Sequence, residues 1–251
     1  MVKSDYILRD MKPKFDLDKI KYGVDPATFQ KAIDLYKNGK VKNFEEGIAS
    51  YTANVLGTHL YRVSVEQRDY HYSFCDCYLG QNETLCKHAI AVAIYAVTSG
   101  KKLTKEDETQ ITKPVSSEVI GELPEDELKS VKADITKSIS YIKYYDGPSR
   151  TWFAYQNSLD EGVNRLSKIV SELPISVQTT DLIINLLLRL DKKLQSGVDD
   201  SNGTVGGFIE ETVEVLKDFV KKDSKVATSF KKLIGISSCF GWEESLISLI
   251  K

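Results

Sequence analysis

Apolar residues recur along this chain with two periods, and the change from one to the other divides it. Phe29, Ile33 and Tyr36 fall at steps of four and three, the spacing of one helical face, so a helix is predicted over 26–38. Pro26 suits its first turn and Gly39 its stop. Alternation then takes over. Segments 48–56 and 60–67 flank Gly57-Thr58-His59 as two strands about a hairpin turn, and Tyr70, Tyr72 and Phe74 alternate in a third strand over 69–74. Helical spacing returns from Cys86, with Ile90, Ile94 and Val97 on one face and Gly100 as terminator.

Residues 101–123 are polar and contain Pro114, which suits a linker. Beyond them the helical period persists. Leu128, Val131, Ile135, Ile139 and Ile142 form one stripe over 124–145, stopped by Asp146-Gly147-Pro148, and further helices are predicted over 155–173, 180–195, 205–222, 225–236 and 242–251. The helix over 180–195 is apolar nearly all round (Leu182, Ile183, Ile184, Leu186, Leu187, Leu188, Leu190) and should be the buried centre. The expected fold class is α+β: a small three-stranded antiparallel domain in 1–100, a linker over 101–123, and an all-α bundle or solenoid-like domain over 124–251.

Three of the four cysteines sit at the junction of the third strand and the following helix, as Cys75-Asp76-Cys77 and then Cys86-Lys87-His88. Thiolates and an imidazole suit tetrahedral zinc, and four such ligands leave no position open for a substrate water, so one structural Zn2+ ion is expected. Eight residues separate the two pairs, and Gly80-Gln81-Asn82 among them reads as the turn that folds the chain back. A disulfide suits a secreted chain less well matched by the opening Met1-Val2-Lys3-Ser4-Asp5, which is not an apolar signal segment. A redox dithiol is usually C-x-x-C beside a helix start, which this is not. His59 and His71 are read as a turn and a strand-face histidine, with His71 the first substitute ligand, and Cys239 as a small buried apolar residue.

The C-x-C and C-x-H pairs resemble the SWIM-type zinc finger. Upstream, Tyr36-Lys37-Asn38-Gly39-Lys40-Val41 is similar to the turn that often precedes this finger, and Ala53-Asn54-Val55-Leu56-Gly57 with Tyr61-Arg62-Val63-Ser64-Val65 resembles its hairpin. The likeness covers roughly 25–100, and no ligand departs from the pattern. It implies one zinc ion on Cys75, Cys77, Cys86 and His88, and a module that binds DNA or a partner protein.

Charge works against nucleic acid. The chain holds 34 basic and 36 acidic residues with a pI of about 6.0, and residues 1–100 hold 13 basic against 12 acidic. Nonspecific nucleic-acid binding draws most of its affinity from Lys and Arg on phosphates. The candidates for such contacts, on or beside the finger, are Lys37, Lys40, Lys42, Arg62, Arg68 and Lys87, each of which is also an ordinary solvated charge. Two other segments invite a functional reading. Tyr144 to Tyr155 gathers aromatics with Arg150 and is read as a packed helix corner; Asp199-Asp200-Ser201-Asn202-Gly203 lacks a calcium loop's terminal glutamate and is read as a turn. There is no phosphate loop, G-x-S-x-G or H-E-x-x-H.

These residues predict an intracellular, non-enzymatic adaptor: a zinc finger meeting DNA or protein, a helical domain meeting a protein partner, and no membrane segment. The alternatives are a pure protein scaffold stapled by zinc, and a non-catalytic subunit of a nucleic-acid-processing enzyme.

Overall fold

Two aspartates start the fold. Asp16 accepts a hydrogen bond from the Lys19 amide at 2.7 Å and caps α1 (Leu17–Gly23); Asp25 accepts from the Thr28 amide at 2.9 Å and caps α2 (Pro26–Lys37), with Pro26 in the first turn. The computed structural model describes residues 12–250, which divide after Gln110 into two units. The first unit continues with β1 (Val41–Glu46), β2 (Ser50–Leu56), β3 (Leu60–Glu66) and β4 (Ser73–Cys75), an antiparallel sheet in the order β1-β2-β3-β4. Then follow α3 (Tyr78–Gln81), α4 (Lys87–Thr98) and α5 (Lys105–Glu108).

The sheet has four strands where three were expected. The additional one, β1, is irregular: its register against β2 shifts between Lys42 and Glu45, where Asn43 adopts φ 50°. That bulge puts Val41 and Phe44 inward three residues apart, so the period of two that announces a strand is broken. The last strand is shorter than expected, covering 73–75 rather than 69–74. Asp69 accepts from the His71 amide at 3.1 Å and turns the chain, which puts His71 in a turn and leaves Tyr70 buried, edge-on to Phe15.

Inward residues of the sheet (Tyr51, Ala53, Val55, Val63, Val65) pack beneath α4, which lies against all four strands and against α2. Eight residues of α4 are buried, from His88 to Ala96, so it is covered on more than the one face expected. Its alanines at 89, 91, 93 and 96 have side chains short enough for close approach on both sides.

The segment expected as a linker is divided between the units. Gln110 donates to the Val24 carbonyl at 2.8 Å within the first. In the second, Val115 donates to Ser171 Oγ at 3.0 Å, and Ile120 pairs with Ile175 in an isolated parallel bridge. The second unit is helical: α6 (Glu125–Ile139), α7 (Trp152–Glu172), α8 (Val177–Gln195), α9 (Thr204–Lys222), a 3-10 stretch over Ser224–Leu233, and α10 (Glu244–Ile247). The α8 residues Ile183, Ile184, Leu187 and Leu190 are fully buried in one core shared with the other helices. Aspartate 200 accepts from the amides of Val205 and Gly206, both at 2.8 Å, so the Asp199–Asp200 segment is a helix cap. The aromatic segment is a packed corner: Tyr145 stacks on Tyr155 at 4.4 Å, and Trp152 donates to Asp199 at 2.9 Å.

Cys239, expected to be buried, is exposed. Both its amide, at 2.8 Å to the carboxylate, and its thiol, at 3.6 Å to the backbone carbonyl, donate to buried Asp191. Trp242 Nε1 donates to the same carboxylate at 3.2 Å and Gln195 at 2.6 Å. Asp191→Ala leaves three donors, among them the buried Trp242 Nε1, without their acceptor. It is expected to destabilise the second unit by about 2–4 kcal/mol, seen as a lower urea midpoint followed through Trp242 fluorescence.

Candidate metal centre

Cys75 ends β4, Cys77 and Cys86 each cap a helix, and His88 is the second residue of α4. The strand supplies the first ligand and the turn of α3 the second. Gly80 donates its amide to Cys77 Sγ at 3.4 Å, bending the backbone around the sulfur. A side chain at Gly80 has no room: a Cβ there would come within 2.6 Å of Cys75 Cβ and 2.8 Å of its carbonyl carbon. The return to α4 passes through Glu83, held at φ 55°.

The four ligand atoms all lie within 4.8 Å of one another, and all four residues are buried. Nδ1 of His88 is 3.8 Å from Cys75 Sγ and 3.9 Å from Cys86 Sγ. Zinc bond lengths of about 2.3 Å to sulfur and about 2.0 Å to nitrogen put tetrahedral S···N edges near 3.6 Å. These two S···N distances are within a few tenths of an ångström of that edge, and the cluster of three soft donors and one imidazole fits one structural zinc ion.

The thiols compete for protons. Hydrogen bonding from the Cys75 thiol, then from His88, holds Cys86 well below the usual thiol range in spite of its burial. The same contact with Cys86, together with burial, pushes Cys75 up. Metal relieves this conflict by replacing the protons, and leaves three thiolates and a dication at about minus one. That residual charge sits at the N-terminus of α4, where the exposed helix amides favour an anion.

The other sequence candidates are spread over the unit. Lys37 is paired with Glu108 at 2.6 Å and Arg62 with Asp76 at 3.4 Å. The register Lys42–Asn54–Arg62 puts two of the basic residues in one cross-strand row on the face turned away from α4, about 10 Å apart at the backbone. Lys40 precedes β1, Lys87 is half-buried between the ligands Cys86 and His88, and Arg68 lies beyond the opposite end of β3. His59 and His71 are exposed and outside the cluster. Among the described residues no further group of His, Cys, Asp and Glu is arranged to hold a metal.

Gly80 was legible as part of the turn between the ligand pairs, whereas Gly57 and Tyr61 were read only as hairpin residues and not as parts of the centre. The signal lay in their placement: Gly80 is the one small residue in the first turn after Cys77, and Gly57 and Tyr61 stand on either side of the hairpin tip, with Thr58, His59 and Leu60 between them.

This is a Cys3His zinc finger whose ligands link a strand to two helix starts. Residues 73–96 match the family model of the SWIM zinc finger, so the chain carries a SWIM finger at the centre described. Searches of the curated proteins and of the solved structures found no match to the chain.

Proposed function

We propose that this protein is a non-catalytic adaptor in which zinc holds the finger's shape and the surfaces of the two units do the binding. The observation that carries this reading is the closed ligand set. Three cysteines and a histidine, all buried, complete a tetrahedron and leave a bound zinc no coordination position at which to activate water or polarise a substrate.

A protein partner is favoured over DNA. Tyr72, Phe74, Tyr78 and Leu79 are exposed around the ligand-bearing turn, and aromatic residues of this kind dominate protein contacts. Phe74 adjoins a shallow concavity of about 520 Å³ on the outer sheet face, lined also by Thr52, Asn54, Arg62 and Ser64. Arg62 there is already offset by Asp76. The second reading, contact with DNA, rests on the row containing Lys42 and Arg62. The helical unit, with a core of its own, is assigned to protein contact as well. Among the described residues no helix is long and apolar enough to cross a membrane.

Binding of the zinc-loaded chain to single- and double-stranded DNA, measured across a salt series, separates the two. The adaptor reading expects weak binding with little salt dependence. Tight binding that falls steeply with salt, and that Lys42→Ala with Arg62→Ala reduces, assigns the finger to DNA instead.

A further inference from the structure

We propose that the β2–β3 turn is the outer wall of the zinc centre, with Gly57 and Tyr61 as positioning residues that hold His88 with Nδ1, rather than Nε2, toward the three sulfurs. A neutral imidazole that gives one nitrogen to a metal carries its proton on the other. That second nitrogen usually donates to a carbonyl or carboxylate, which fixes the ring. In this protein it does not: Nε2 of His88 is buried and has no hydrogen-bond partner, and His88 as a whole is 5% exposed.

Packing takes over the orienting role. The Tyr61 ring lies over the imidazole with centroids 4.3 Å apart and planes 29° apart. Tyr61 is itself held by a 2.7 Å hydrogen bond between its hydroxyl and Thr58 Oγ1, inside the turn that the Gly57 amide closes on the His59 carbonyl at 2.8 Å. Gly57 closes the remaining side. A Cβ there would stand 3.0 Å from His88 Nε2 and 3.0 Å from the Tyr61 ring, so a methyl group would press on both members of the stack. An imidazole bound to a dication is electron-poor, and the π face of a phenol attracts such a ring much as it attracts a cation. The ring therefore supports the loaded state in particular, and the hairpin tip becomes mechanically part of the metal site.

The test uses the full-length chain loaded with zinc, and in parallel with cobalt(II) as a spectroscopic probe. Long-range proton–nitrogen NMR of His88 is expected to show a protonated Nε2 and a metal-bound Nδ1. Tyr61→Leu should speed zinc transfer to a chelator about tenfold and shift the cobalt d–d band, whereas Tyr61→Phe, which keeps the ring, should stay within about twofold of wild type. Gly57→Ala should resemble Tyr61→Leu. If it does not fold, the two Tyr61 variants and the wild-type NMR decide the matter. Coordination through Nε2, or a Tyr61→Leu protein whose release rate and cobalt band equal those of wild type, overturns the proposal.

Discussion

Cys86→Ser, and independently His88→Ala, is expected to abolish stoichiometric zinc binding and unfold the first unit while the helical unit melts as in wild type. Both residues belong to the first turn of α4, the helix that covers all four strands. Without metal, the cluster is a set of buried thiols contending for protons at the point where that helix begins. Zinc-finger peptides gain about 10–16 kcal/mol from their ion at neutral pH, and a whole domain is stable by only about 5–15 kcal/mol. Losing the ion therefore removes an amount comparable with the unit's entire stability, even though Phe29, Ile33, Tyr51 and Ile90 give it an apolar core. The second unit has a separate core centred on α8 and should be untouched. Elemental analysis and amide hydrogen exchange resolved along the chain measure both effects. A variant that keeps its zinc, or loses it with the 73–96 amides still protected, contradicts this account.

The next largest effect is expected at a residue with no side chain. Gly80→Ala places a methyl group against the backbone of Cys75, and backbone cannot rotate aside as a side-chain tip can. The turn must open, and with it goes the amide that Gly80 donates to Cys77 Sγ. Zinc affinity should fall about a hundredfold, the upper end of the range for groups that support metal ligands. Competition against a chromophoric chelator measures it. Gly207→Ala is the matched control: it lies within α9 with nothing within 4 Å of the added methyl, and should stabilise the helix by up to about 1 kcal/mol. Equal zinc affinity in Gly80→Ala and wild type would mean that the turn does not approach Cys75 as described.

The ligand set was legible because its chemistry is local. Two pairs of donors, each spanning three residues, declare themselves without knowledge of the fold, and so did the apolar centre of α8. Strand β1 was hidden by the bulge at Asn43, which replaces the period of two by an ambiguous step of three. The early end of α6 at Ile139 was missed because Ile142 continues its stripe and is fully buried, although the chain around it has left the helix. Cys239 was misjudged because composition speaks for burial, while that position is held by hydrogen bonds from its amide and thiol to Asp191. The packing of Tyr61 on His88 depends on a hairpin folding back over a helix residue 27 positions later, a distance no local pattern reports.

The kink in β1 also bears on how the molecule behaves in company. An open sheet margin invites a second chain to add itself by hydrogen bonding, and repeated addition ends in aggregates. On one side the invitation is withdrawn by a strand bent at Asn43 and studded with exposed Lys42, Glu45 and Glu46; on the other, β4 offers only three residues before the metal-binding turn begins. Concentrated preparations of this protein should accordingly resist strand-to-strand self-association so long as the ion that anchors the shorter margin stays in place.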